Sequence, residues 1–202
     1  MGCACIWKKC VSQDDQDDPP ELHDYFQNPA NVDLSNYDLS PTLEQSAIAC
    51  ADGVLPTDAE VHKLSELLVK YGEQVRTLKL SGCGICKKGT SPLGVLLEWL
   101  KAYAKEISVL DLSDNHIADS GMTLLSDYLA DGAACLSSLN LANNNISRYG
   151  VNHIERFLKE RGIDQLTIDL SSNPLGNPSE VRCSLKRATG REDDGWLQLG
   201  AE

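Results

Sequence analysis

Leu110-Asp111-Leu112-Ser113-Asp114-Asn115-His116-Ile117 is the stretch that decides the fold, because it recurs along the chain. It returns as Leu139-Asn140-Leu141-Ala142-Asn143-Asn144-Asn145-Ile146 and again as Ile168-Asp169-Leu170-Ser171-Ser172-Asn173-Pro174-Leu175. Upstream, Leu78-Lys79-Leu80-Ser81-Gly82-Cys83-Gly84-Ile85 fits the same template, and Ile48-Ala49-Cys50-Ala51-Asp52-Gly53-Val54-Leu55 is a fainter copy. Taking the second apolar position, the series Cys50, Leu80, Leu112, Leu141 and Leu170 has spacings of 30, 32, 29 and 29 residues. Each copy alternates apolar and polar residues, as a half-buried strand does, and then breaks into turn residues. A fixed period of this length marks a stack of similar units rather than a single folded core.

The segments between the copies read as helices. Thr57-Asp58-Ala59-Glu60 is a capping box, followed by Val61, Leu64, Leu67 and Leu68 at helical spacing. Ser91-Pro92 sets a cap residue before a proline at the first helical position, with Leu93, Leu96, Leu97 and Leu100 beyond it. Met122, Leu124, Leu125 and Leu129 mark the third helix; Val151, Ile154, Phe157 and Leu158 mark the fourth, with Gly162 as its stop.

Strand, turn and helix in this order resemble the leucine-rich repeat, in the long, helix-containing form of the ribonuclease-inhibitor-like class. The resemblance covers residues 43–176. It implies an α/β fold: a short solenoid of about five repeats, with a concave parallel sheet and convex helices. It also implies that Cys83, Asn115, Asn144 and Asn173 bond backbone groups of the turns and form a ladder between repeats. Gly53 departs from that pattern, which makes the first copy a degenerate cap, and Gln165 departs where an apolar residue is expected. On this reading residues 1–42 form a flexible acidic tether and residues 177–202 a C-terminal cap or tail. Within the latter, Cys183-Ser184-Leu185-Lys186-Arg187 is expected as a final strand or cap. Gly195-Trp196-Leu197-Gln198-Leu199 either covers the open end of the solenoid, the favoured option, or binds a partner.

Residues that alternate with the core positions point out of the sheet. One row is Ala47, Thr77, Val109, Ser138 and Thr167; the central row is Ala49, Lys79, Asp111, Asn140 and Asp169; the third is Ala51, Ser81, Ser113, Ala142 and Ser171. Partner binding is expected on Thr77, Lys79, Val109, Asp111, Ser138, Asn140, Thr167 and Asp169. These small, polar and partly acidic side chains suit a close-approaching protein surface of modestly basic character.

The N-terminus carries a different signal. In Met1-Gly2-Cys3-Ala4-Cys5-Ile6-Trp7-Lys8-Lys9-Cys10, removal of Met1 exposes Gly2, the residue that N-myristoylation requires. Cys3 and Cys5 are then candidates for palmitoylation, and the stretch resembles the start of dually acylated cytoplasmic proteins; Ile6 replaces the usual Ser or Thr. Two chains anchor stably where one is marginal, and Trp7, Lys8 and Lys9 suit a membrane interface. The expected location is therefore the cytoplasmic side of a plasma or ciliary membrane, with a soluble cytoskeletal location as the alternative.

Composition narrows the remaining classes. A formal charge of −12, half of it within residues 1–40, argues against nucleic acid, whose phosphates need a basic face. Eight cysteines placed this unevenly do not read as a disulfide scaffold. Cys83-Gly84-Ile85-Cys86 has redox or zinc spacing, but Cys83 already fills a repeat position and no second such pair exists. His23, His62, His116 and His153 share no ligand spacing, and no nucleophile motif or phosphate loop is present. No catalytic residue, metal, cofactor or small-molecule substrate is expected. The leading function is a membrane-tethered adaptor or scaffold; the alternatives are a subunit of a cytoskeletal or axonemal assembly and a regulator of a small GTPase. Ran GTPase-activating proteins carry this class of repeat, although nothing in these turns singles out a catalytic arginine.

Overall fold

The computed structural model describes residues 22–39, 67–131, 133–161, 166–192 and 195–200. Its strands are β1 (Asn31–Asp33), β2 (Thr77–Lys79), β3 (Val109–Asp111), β4 (Ser138–Asn140), β5 (Thr167–Asp169) and β6 (Leu197–Gln198), which form a six-stranded sheet in chain order. Every neighbouring pair is parallel. The helices α1 (Ser91–Tyr103), α2 (Ala118–Asp131), α3 (Arg148–Arg161) and α4 (Pro178–Thr189) each pack against the next in the same order. A short 3-10 turn, Leu22–Phe26, precedes the first strand.

Each strand buries its middle residue and leaves its flanking residues partly exposed, the pattern that period-2 alternation dictates. Val32, Leu78, Leu110, Leu139, Ile168 and Leu197 line up in register as one layer of the core. Leu34, Leu80, Leu112, Leu141, Leu170 and Leu199 form the next layer, and Leu93, Leu96, Met122, Leu125, Val151, Ile154, Val181 and Leu185 close it from the helices. The core is a continuous aliphatic seam, which is how units too small to bury a face alone become stable.

Close packing between repeats depends on two glycines. A Cβ added at Gly121 would lie 2.5 Å from the Ile117 side chain. At Gly150 it would lie 2.5 Å from an Asp119 carboxylate oxygen. Asp119 accepts from Ser147 N at 2.8 Å and from Gly150 N at 3.0 Å, so a carboxylate in α2 caps the start of α3 across the repeat boundary.

Both ends of the expected repeat domain are different in the structure. The place beside β2 expected for residues 47–51 is taken by Asn31–Asp33, so the sheet begins inside the segment expected as a tether. Residues 47–51 themselves, Gly53, the Thr57 capping box, Gly162 and Gln165 lie outside the described residues. Val32-Asp33-Leu34-Ser35-Asn36 is in fact a close copy of the Leu110 stretch, and its turn runs through Tyr37 to the buried Leu39. Tyr25 packs edge-on against Tyr37, with ring centroids 5.7 Å apart, and Phe26 stacks on Tyr71 at 6.0 Å, giving this end an aromatic cover.

At the other end, residues 183–187 are helical rather than extended. Asn177 Oδ1 accepts from Ser179 N and Glu180 N, Pro178 opens the helix, and Gly190 closes it at φ 70° with its N–H on Lys186 O. That is a helix start and stop, and Val181 and Leu185 sit one turn apart on its buried side. Trp196, 1% exposed, leads into β6 at the sheet edge, with the Arg191 guanidinium 4.8 Å above its ring. In α1 the residue before the helix is Thr90 rather than Ser91, and its side chain makes no cap bond.

Candidate functional site: the open face of the sheet

The turn after each strand fixes what the face can present. In five described copies the residue after the third outward row has positive φ: Asn36, Gly82, Asp114, Asn143 and Ser172, between 53° and 68°. Gly84, His116 and Asn145 repeat this two residues later. Short polar side chains and glycine tolerate the left-handed region, which is why those positions read as turn residues. His116 thus owes its exposed position to backbone geometry.

Between these two positions lies the ladder. Asn115 Nδ2 donates to Leu80 O, Leu112 O and Ser113 O, and its Oδ1 accepts from Ile85 N. Asn144 donates to Leu112 O and Ala142 O and accepts from Asn115 N and Ile117 N. Asn173 donates to Leu141 O, Leu170 O and Ser171 O and accepts from Asn144 N and Ile146 N. Cys83, with one weaker donor, reaches Leu34 O at 3.0 Å. Burial pushes the Cys83 thiol up to about 12, with smaller opposing and reinforcing contributions from Tyr37, Asn36, Asp38 and Asp33, and burial alone does the same for Cys86. Both stay protonated at neutral pH, the opposite of a reactive or metal-binding pair. Among the described residues no group of three His, Cys, Asp or Glu side chains is placed to hold a metal ion.

The expected outward rows are brought together by the strand register. Thr77, Val109, Ser138 and Thr167 are successive neighbours, and so are Lys79, Asp111, Asn140 and Asp169. The structure extends the central row to Asp33 at one edge and Gln198 at the other, two members that sequence reading missed. Asp33 was legible in the Val32-Asp33-Leu34-Ser35 copy; Gln198 shows only the short alternation Leu197-Gln198-Leu199, without the Asn-bearing turn of the other copies. Ala47, Ala49 and Ala51 lie outside the described residues, as do the acylation candidates Gly2, Cys3 and Cys5.

Most of these side chains also serve the fold. Asp33 Oδ1, Asp111 Oδ1, Asn140 Oδ1 and Asp169 Oδ1 each accept the backbone N–H two residues on, at 3.1, 3.0, 3.0 and 2.8 Å. These are Asx turns, and they turn the chain out of each strand. Thr167 Oγ1 bonds Ser137 O at 3.1 Å, much as Ser108 bonds Arg76 O and Ser137 bonds Ser108 O. What remains for a partner is the second oxygen of Asp111 and Asp169 and the amide nitrogen of Asn140, together with the hydroxyls of Ser138 and Thr77.

Charge along the central row is uneven. Lys79 Nζ sits 3.1 Å from Asp33 Oδ2, and the Asp33 carboxyl lies below its ordinary range, held there first by Ser35 and then by Lys79. Asp111 shares its Oδ1 with the Ser113 hydroxyl at 2.7 Å. Asp169 has no charged neighbour in the row, only Asn140 and Gln198. Beside it a depression of about 180 Å³ is lined by Ser138, Asn140, Thr167, Asp169, Trp196 and Gln198.

The family model for the leucine-rich repeat matches residues 107–126, which comprise β3, its turn with Asn115, and the start of α2. The fold is a leucine-rich-repeat solenoid. No curated protein matches the chain. The repeat points to a protein-interaction module, and the open face is where its strands present side chains. Among the described residues no helix is long and apolar enough to cross a membrane.

Proposed function

We propose that this protein is a non-enzymatic adaptor of the ribonuclease-inhibitor-like class of leucine-rich repeats, binding a modestly basic protein partner on the open face of its sheet. The observation that carries this reading is the central row from Asp33 to Gln198: polar side chains, four of them Asp or Asn, in register across six strands. The face offers hydrogen-bond acceptors and negative charge, with the aromatic residues set at its ends rather than along it. Charge of this kind steers and orients a basic partner more than it adds affinity.

The adaptor is held at the cytoplasmic side of a plasma or ciliary membrane by a myristoyl group on Gly2 and palmitoyl groups on Cys3 or Cys5. The support is the Met1–Cys10 sequence alone.

Two experiments test the two halves. A photo-crosslinking residue at Asn140 should capture a discrete partner in native cells, while the same residue at Tyr149, 77% exposed in α3, should not. Equal capture from both positions sinks the open-face reading. Intact mass spectrometry of the native protein should show a myristoyl mass and hydroxylamine-labile palmitate; an unmodified N-terminus removes the tether.

A further inference from the structure

We propose that the depression over β4–β6 is a seat for one cationic side chain, a lysine or arginine of a protein partner, with Asp169 as its counter-ion. The proposal rests on the open-face reading above and adds the chemistry that the face selects.

The protein carries its own template for such a seat. Asp33 and Asp169 occupy the same row, and in both Oδ1 is used by the Asx turn, at 3.1 and 2.8 Å. At Asp33 the second oxygen holds a cation from the next strand, Lys79 Nζ at 3.1 Å. At Asp169 the second oxygen has no protein partner among the described residues. The side chains at the Lys79-like positions on either side are Asn140 and Gln198, both neutral. Lys79 itself stands three strands away, roughly 14 Å, and cannot serve both ends.

The surroundings differ from the Asp33 end in the way a seat requires. Next to Asp33 the row is filled by the lysine; next to Asp169 there is a depression of about 180 Å³ whose lining includes Trp196, Ser138 and Thr167. The Gln198 side-chain carbonyl and the Ser138 and Thr167 hydroxyl oxygens can accept the N–H groups that a carboxylate leaves over. The volume suits a side-chain head group and is too small for a helix or strand. Arg191, the cation closest in sequence to Trp196, lies over the indole ring and donates to Leu166 O at 3.1 Å. The unmatched charge is therefore left for a partner to neutralise.

Asp169→Asn is the decisive variant, because Asn140 in the same row shows that an asparagine makes the same turn, at 3.0 Å from Ala142 N. The probe is the blocked tripeptide Gly-Arg-Gly, titrated into the full-length ¹⁵N-labelled protein, with Gly-Lys-Gly and Gly-Gln-Gly beside it. The arginine and lysine peptides should shift the amide signals of Asn140, Asp169 and Gln198 saturably, and the glutamine peptide should not. Asp169→Asn should weaken the arginine peptide by about fivefold, the upper end of a half-exposed ion pair, with the rest of the spectrum unchanged. Asp111→Asn should leave it alone. Equal shifts from arginine and glutamine peptides, or binding indifferent to Asp169→Asn, overturn the seat. If that happens while Asn140 still crosslinks a partner, the seat falls and the open-face reading stands. If the arginine peptide shifts Asp169 and Asn140 crosslinks nothing, the depression binds a cationic side chain but the open-face reading falls, and the seat's assignment to a protein partner falls with it.

Discussion

Asn144 and Asn140 are four residues apart in the same repeat, and comparing them separates two uses of one side chain. Asn144 is fully buried, and both its amide donors and its carbonyl are taken by backbone groups of its own and neighbouring turns. Asn140 is half-buried on the open face, and only its Oδ1 is used, once, by Ala142 N. Asp111 and Asn115 differ in the same way, as do Asp169 and Asn173. A buried polar group must be fully satisfied, so the ladder residues have nothing left to offer a partner. On the proposed reading a partner meets the row where satisfaction is incomplete.

The sharpest way to break this comparison is to truncate both members. Asn144→Ala strands Asn115 N and Ile117 N and takes one donor each from Leu112 O and Ala142 O, which keep Asn115 Nδ2 and Asp114 N, and should cost about 3 kcal/mol, from two buried N–H groups left without an acceptor. Asn140→Ala should cost about 1 kcal/mol or less, for one partly exposed turn bond. Urea unfolding of the two variants against the parent chain checks the contrast; equal costs would remove the distinction between seam and face. Next in size is Gly150→Ala, which sets a methyl against Asp119 Oδ1, the Ile146 side chain and Met122. Overpacking there should cost about 2 kcal/mol, and Asp119→Ala in the same background should recover part of it.

How much of this was legible beforehand follows the same division. The Leu110, Leu139 and Ile168 copies gave the sheet, its register and the ladder, because each copy meets identical geometry and its neighbours report the same constraint. The Val32 copy was hidden by the longer gap to Leu80 and by the acidic residues around it, which read as a tether although they lie on the outside of a repeat. Asn177-Pro178 is a helix start, and without it the stretch around Leu185 fits a final strand or cap. The rows of the face were legible as positions. Their Asx turns were not, because the spacing Asp111-Leu112-Ser113 becomes a hydrogen bond only once the strand ends there.

Packing on the helical side supplies a weaker, pH-dependent test. Glu155 in α3 accepts from Ser184 in α4 at 2.5 Å and pairs with Lys159 at 2.9 Å and Arg148 at 3.4 Å. The Ser184 hydroxyl bond, more than the two cations, holds its carboxyl below the ordinary value of 4.5 against the opposing effect of burial. A folded-state value below the unfolded one gives stability that is complete above pH 4.5 and is lost as the pH falls through the lower, folded value. Glu155→Gln should therefore destabilise the chain modestly at neutral pH and make its acid unfolding limb less steep. An unchanged acid limb would mean that the α3–α4 contact draws nothing from ionisation.

The smallest effect expected is on the face itself, and it is informative because it is small. Asp33→Asn removes the charge that Lys79 meets, but both side chains are close to half exposed, and such pairs contribute about 0–1 kcal/mol. Asp111→Asn keeps its Asx turn and removes a charge with no cationic neighbour on the β4 side, so its change in stability should lie within about 0.5 kcal/mol of zero. If Asp111→Asn instead destabilises as strongly as a ladder truncation, the carboxylate is a structural group and the face has no charge to spare. If it raises stability, the like-charged Asp114 and Asp111 in one turn repel in the free protein. Repulsion of that kind is what a basic partner would relieve on binding. Thermal unfolding at low and high salt distinguishes the cases, because repulsion between exposed charges is screened and a lost turn bond is not.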